Sequence, residues 1–304
     1  MVKNQYVAVG KGTLRAYEAR QEGLVVRADS EGRFSLPSIE ATTGLVVVHE
    51  QGYAHVPETK FGSAQEITLE AWGQVEGILH IGRSLGTNEQ VSLQSGQMAF
   101  GASPLLANED YQARTDESGR FIMRFVPPGE HRITRMIPTG NGSWQGSMGT
   151  VVTVKPGVVT QVSLGGDGQT VTGKVHITGR EVNFQNVDAS LHTRIPDDFK
   201  KVRTPEEQIA WSQTPEAKLA RKNYRGYSVI MEENGSFRAE EVLPGKYELD
   251  IMLLASSGLR DPSGILGRYH SEVVVPEPKG KDDTSPTDLG VIECEEVRDS
   301  AASK

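Results

Sequence analysis

An all-β chain of tandem antiparallel sandwiches, with a short helical insertion in the last one, is predicted by three observations. The first is a turn-and-strand phrase that occurs twice, as "TDESGRFIMRFVPPGEHRI" (115–133) and "MEENGSFRAEEVLPGKYEL" (231–249). The second is strict alternation inside those phrases. Phe121, Met123 and Phe125 alternate with Ile122 and Arg124, and Tyr247, Leu249 and Ile251 alternate with Glu248 and Asp250; a period of two is the mark of a half-buried strand. The third is composition: 33 glycines and 15 prolines in 304 residues supply turns at the close spacing that sandwiches need. That length leaves room for two or three domains.

The elements follow in order. A first unit, 1–70, reads as a partial or divergent sandwich repeat. Its "RADSEGRFSL" (27–36) carries Asp29 and Gly32 in the turn, followed by "GLVVVHEQGYAHV" and "EITLEAW". The later Pro-Gly turn is missing from it. A second unit, 71–166, opens with "VEGILHI" (75–81) and reaches Gly119 after 42 residues from Gly77. A third, 167–297, opens with "VTGKVHI" (171–177), and its Gly173 to Gly235 spacing is 62. The extra 20 residues match "TPEEQIAWSQTPEAKLARKN" (204–223). There Thr204-Pro205 with Glu207, then Thr214-Pro215 with Glu216, are two helix starts, each with a capping residue and a first-turn proline. The helical insertion is placed at 204–222, and the sandwich is expected to close without it. Residues 298–304 read as a disordered tail.

The repeated punctuation is architectural. Asp116 can accept hydrogen bonds from its own turn, and Gly119 and Gly235 can take the positive φ that side chains resist. Pro128-Gly129 and Pro244-Gly245 suit the two central positions of a type II turn. The junctions Ala71-Trp72-Gly73 and Gly165-Gly166-Asp167-Gly168 are too short for free tumbling. A semi-rigid rod of successive sandwiches is expected.

A strand with V-x-G, then "TDESGRF", then "VPPGEHRI", resembles the carboxypeptidase regulatory-like domain. The resemblance is good over 73–165, fair over 170–294 and partial over 1–70. It implies transthyretin-like, immunoglobulin-like β-sandwiches. It also implies a place in bacterial envelope proteins, where such domains are strung together or attached to larger polypeptides. Glu232 and Ser236 stand where the family has Asp and Arg, which makes the last copy's turn less typical.

Composition excludes several functions. A net charge of −8 argues against a nucleic-acid surface, which needs clustered Lys and Arg. No run approaches the roughly 20 apolar residues of a membrane-spanning helix, and "MVKNQYVAVG" lacks the apolar core of a signal peptide. The single cysteine, Cys294, rules out an internal disulfide, and its alternation with Glu293 places it inward beside Ile292. No cofactor is expected.

Each tempting site fails a spacing test. His49 and His55 in "HEQGYAH" are six apart across Gly52, not one helical turn apart as a zinc site requires. His80 and His176 fall on outward positions of separate units. The Asp29 and Asp116 turns lack the alternating oxygens and terminal Glu of a calcium loop. Gly-x-Ser-x-Gly, P-loop and dinucleotide signatures are absent. His131 would have to anchor any cleft chemistry, yet it aligns with inward-facing Tyr247. The expectation is therefore a noncatalytic spacer and protein-interaction scaffold, working outside the cytoplasm. The alternative is a carbohydrate-binding accessory module of a larger enzyme. Binding, if any, is placed on irregular segments: Trp144 in the glycine-rich loop 140–149, and Trp211 with Tyr224 in the insertion.

Overall fold

The computed structural model describes residues 7–16, 25–35, 44–57, 66–95, 107–109, 111–138, 144–179, 181–255, 264–280 and 283–297. The expected tail, 298–304, lies outside them, as does the start of the glycine-rich loop, 140–143. The chain begins with β1 (Val7–Gly10) and β2 (Thr13–Ala16), an antiparallel pair. A second hairpin joins β3 (Gly44–His49) to β4 (Gly52–Pro57). Between them Asp29 Oδ1 accepts from Glu31 N and Arg33 N, both at 2.9 Å, and Gly32 has φ +79°.

The central unit comprises β5 (Gly73–Ile81), β6 (Ser84–Leu85), β7 (Gln90–Ser95), β8 (Ala107–Glu109), β9 (Tyr111–Arg114), β10 (Arg120–Val126), β11 (Gly129–Pro138), β12 (Trp144–Val154) and β13 (Val159–Leu164). One sheet runs β10-β5-β13, with β6 beside β5, and the other runs β12-β11-β7-β9. Val75, Leu79, Phe121, Met123 and Leu164 of the first meet Val91, Leu93, Tyr111, Ile133 and Val154 of the second in a buried layer. The eighth strand leaves this sandwich and adds in parallel to β1, tying the first segment to the central unit.

The last unit repeats the plan. It holds β14 (Gln169–His176), β15 (Val187–His192), α1 (Asp197–Lys200), α2 (Pro205–Ser212), α3 (Pro215–Asn223), β16 (Gly226–Ser228), β17 (Ile230–Met231), β18 (Ser236–Val242), β19 (Gly245–Leu254), β20 (Ile265–Val275), β21 (Thr287–Glu293) and β22 (Glu295–Glu296). Its sheets run β17-β18-β14-β21 and β16-β15-β19-β20-β22. In each sandwich the final long strand returns beside the first and runs parallel to it, β13 on β5 and β21 on β14. Among the described residues, every other pairing within these two sandwiches is antiparallel.

The V-x-G motif has a packing cause. Gly77 lies opposite Phe121 in the register, and Gly173 opposite Phe237. Each ring lies over the bare glycine. A Cβ at Gly173 would stand 2.6 Å from Phe237 Cζ, and one at Gly77 would collide with the Phe121 ring. The Asp-Gly turns also form as expected. Asp116 Oδ1 accepts from Ser118 N, Ser118 Oγ and Arg120 N, and Gly119 takes φ +70°. Those bonds hold the Asp116 carboxyl below its usual range, Ser118 contributing most. In the last copy the acceptor moves to Asn234, which caps Ser236 N at 2.9 Å, and Gly235 keeps φ +82°. The carbonyls of Gly119 and Gly235 then receive Leu79 N and Val175 N, locking each turn to the first strand of its sheet.

Two expectations need correction. Pro128-Gly129 and Pro244-Gly245 do not form type II turns: Gly129 and Gly245 have φ +137° and +155° and begin β11 and β19. The reversal is held by a side chain instead. Tyr247 donates its hydroxyl to Leu243 O at 2.7 Å, and His131 Nε2 takes the matching place 2.7 Å from Pro127 O. A buried tyrosine bonded back to the chain four residues upstream is a device of sandwich corners, and His131 does the same work. Second, Phe125 does not continue the inward alternation. A register shift between Arg124 and Val126 turns Phe125 outward and puts Val126 in the core.

Nor are the cores separate. One buried cluster includes residues of both sandwiches, because the edge strands β12 and β16 meet. Ser228 N donates to Ser147 Oγ at 3.2 Å, and Ser228 Oγ donates to Gly146 O at 3.3 Å.

Candidate functional site

The densest polar constellation lies between the two sandwiches. Arg135, only 8% exposed, donates from Nε to Glu89 Oε2 at 2.9 Å and from Nη2 to Glu89 Oε1 at 3.1 Å. Its Nη1 donates across the junction to Glu240 Oε2 at 2.6 Å. Glu240 is held from behind by Arg238, which also reaches Glu232. Burial pushes the Glu240 carboxyl up, but hydrogen bonds from Arg135 and Arg238 outweigh it and leave the group below its usual range. A desolvated pair is held together only when its remaining donors and acceptors are satisfied, and here the two-pronged Arg135–Glu89 geometry supplies that.

The insertion contributes to the same junction. Its helix starts follow the sequence reading. Glu207 N donates to Thr204 Oγ1 while the Glu207 carboxylate accepts from Thr204 N, and Thr214 Oγ1 accepts from Ala217 N. A short α1, which the sequence did not announce, precedes them. At the far end, Arg132 of the central sandwich donates to Arg221 O at 2.8 Å and to Tyr224 O at 3.2 Å. These are carbonyls at and just beyond the last turn of α3, where the helix itself offers no donors. The same guanidinium sits 5.7 Å from the centre of the Tyr224 ring. The insertion is thus anchored to the neighbouring sandwich and is not a self-contained appendage of its own.

The proposed binding residues divide. Trp144 begins the edge strand β12 and keeps 47% of its surface exposed. Beside it, Gln145 Nε2 donates to Asp188 Oδ1 of the last sandwich at 3.2 Å. Trp211 is 9% exposed, its indole packed 4.9 Å from the Phe199 ring, so it cannot serve as a stacking platform. Tyr224 is occupied by Arg132. An open groove of about 440 Å³ lies between α1 and the start of the insertion, lined by Ile195, Phe199, Lys200, Val202, Arg203, Thr204 and Gln208. It is mixed apolar and basic.

His49 and His55 lie on the hairpin of β3 and β4. His49 pairs with Gly52 and His55 with Val46, so the two do not face each other across the hairpin. His176 bonds Glu293 at the surface. Cys294 is buried, and burial pushes its thiol up to about 11. Among the described residues, no group of three or more His, Cys, Asp and Glu is arranged to hold a metal ion.

Three groups escaped the sequence reading. Trp72 packs against Tyr53 (5.5 Å) and edge-on to Phe125 (6.3 Å), and its indole N–H donates to His49 O at 2.8 Å. Asp250 bridges His192 (2.8 Å) and His270 (2.7 Å) across three neighbouring strands. Glu241 is buried against the central sandwich. Only strand register brings the second group together, and register was not legible. For Arg132 and Arg135 a signal existed: two arginines three apart, with no acidic residue between them, inside the strand "HRITRMIP".

No family model matches the chain, and no curated protein does. Solved structures do align with it, at low sequence identity. A protein of Pseudomonas aeruginosa proposed to bind carbohydrate is 22% identical, covering 36% of this chain and 95% of its own, with a TM-score of 0.23. The minor pilin GBS52 of Streptococcus agalactiae is 12% identical over 74% of this chain and 97% of its own, TM-score 0.29. The shaft pilin SpaA of Lactobacillus rhamnosus GG is 8% identical over 75% and 99%, TM-score 0.22. At these scores they define no function.

Proposed function

We propose that the chain is a noncatalytic run of carboxypeptidase regulatory-like sandwiches, divided near 1–70, 71–166 and 167–297. In this reading it serves as spacer and protein-interaction scaffold of a bacterial cell-envelope protein. The observation that carries the reading is the junction. Buried Arg135 and Glu241, together with partly buried Glu240, are spent on fixing one sandwich against the next. A spacer must hold its neighbours at a set orientation, and such contacts do so. The partner surface is the groove at α1 and the start of the insertion, where Lys200 and Arg203 border Phe199 and Val202. It fits a protein segment with acidic and apolar side chains.

The second reading, a carbohydrate-binding module, is favoured by Trp144 alone. Its half-exposed ring can stack on a sugar face. A glycan array and a pull-down from envelope extracts separate the two. The scaffold reading expects capture that Lys200→Glu with Arg203→Glu abolishes and Trp144→Ala leaves intact. Glycan binding lost in Trp144→Ala, with an unchanged melting temperature, would establish the second reading instead. Turnover of any peptide or glycan would overturn both.

A further inference from the structure

Phe125 and Glu241 occupy the same place in the two repeats. Each lies 116 residues from its counterpart, as do Gly119 and Gly235, Tyr111 and Tyr227, and His131 and Tyr247. Both sit where the register slips against the first strand of the sheet. Both take left-handed backbone, φ +57° and +60°, although neither is glycine. A bulge re-aims a side chain out of the strand's alternation, and a bulky residue in this region is an outlier that its surroundings must hold in place. Buried tyrosines brace each bulge region: Tyr111 donates its hydroxyl to Phe125 O at 2.6 Å, and Tyr227 accepts from Leu243 N at 3.2 Å.

What differs is the side chain, and with it the neighbour. Phe125 lies against Trp72 and Gly12, toward the segment that precedes its sandwich. Glu241 reaches back to the central sandwich. Its Oε1 accepts from Gly82 N, and its Oε2 accepts from Gly166 N at 2.6 Å and Gly168 N at 3.3 Å. Gly82 and Gly166 have φ +57° and +96°. A Cβ on Gly168 would collide with the Glu241 backbone. Backbone N–H groups that converge from neighbouring loops in this way form a concavity for an anion, and this one is filled by a carboxylate from the next sandwich.

We propose that the bulge residue of each sandwich is its docking residue, and that the Gly82–Gly166–Gly168 nest is a carboxylate-binding site whose resident ligand is Glu241. The inference goes beyond the scaffold reading and does not depend on any outside partner. Glycine adopts positive φ freely, so Glu241→Gly relieves the local backbone while removing the ligand. In the full chain, this variant is expected to raise amide exchange at Gly166, Gly168 and the facing edges β12 and β16 by about tenfold or more. Exchange in β14 and β19 should stay as it was. Sodium acetate should restore protection in the variant, and sodium chloride at equal ionic strength should not. Unchanged or slower exchange at the junction would overturn the proposal, as would failure of acetate to restore it. Phe125→Gly carries the same test should Glu241→Gly not fold. Exchange should rise around Gly12 and in β3 and β4 while the sandwich pair stays protected, and no rise there would overturn the proposal.

Discussion

Replacing Arg135 by alanine is expected to cost about 2–3 kcal/mol, lowering the melting temperature by roughly 5–10 °C. The loss is large because Glu89 and Glu240 are left facing each other without their shared cation. It falls short of the full penalty for stranded buried charge because both glutamates keep some contact with water. Acid should remove the effect. Glu240 titrates below its usual 4.5 in the folded chain. Its contribution is therefore fully present above about that pH and is lost as pH falls through the lower folded value. Calorimetry of the parent and Arg135→Ala from pH 7 down to 3 should show the gap between them closing in acid, where protonated glutamates need no partner. A gap that stays constant with pH would assign the loss to packing instead of charge.

Gly77→Ala and Gly173→Ala are each expected to destabilise by about 2–3 kcal/mol through overpacking. Each added methyl enters space held by a buried ring, Phe121 in one sandwich and Phe237 in the other, and Val162 crowds Gly77 as well. Shrinking the ring should make room. Phe121→Leu costs stability by itself, yet in the Gly77→Ala background it should cost much less, and denaturant unfolding of the four-member cycle measures the coupling. Additive losses would show that the glycine serves backbone freedom and not the ring above it.

The strands, the Asp-Gly turns and the helix starts were legible because each rests on residues close in sequence. Alternation, a capping threonine with glutamate three on, and a glycine in a turn report themselves within a few positions. Phe125 shows where this fails. Its alternation is correct up to Arg124, and nothing local announces that the strand slips by one residue. The Pro-Gly corners fail for a related reason: the group that bonds the chain back, His131 or Tyr247, lies beyond the turn. Trp211 was misread because an aromatic on a polar insertion looks exposed until Phe199 is seen beneath it. The junction itself was hidden most completely. Arg135 and Glu240 are 105 residues apart, Gly82 and Glu241 159 apart, and only the stacking of two finished sandwiches brings them together.

Whether the two sandwiches are held in one fixed orientation is the claim on which the scaffold reading rests. Spin labels on Glu117→Cys and Glu272→Cys, both exposed and in different sandwiches, measure it by electron–electron double resonance. Cys294 is buried with its thiol raised to about 11, so it stays unlabelled. A single narrow distance distribution, unchanged by moderate salt, is the predicted result. A broad or multiple distribution in the parent chain would contradict the account.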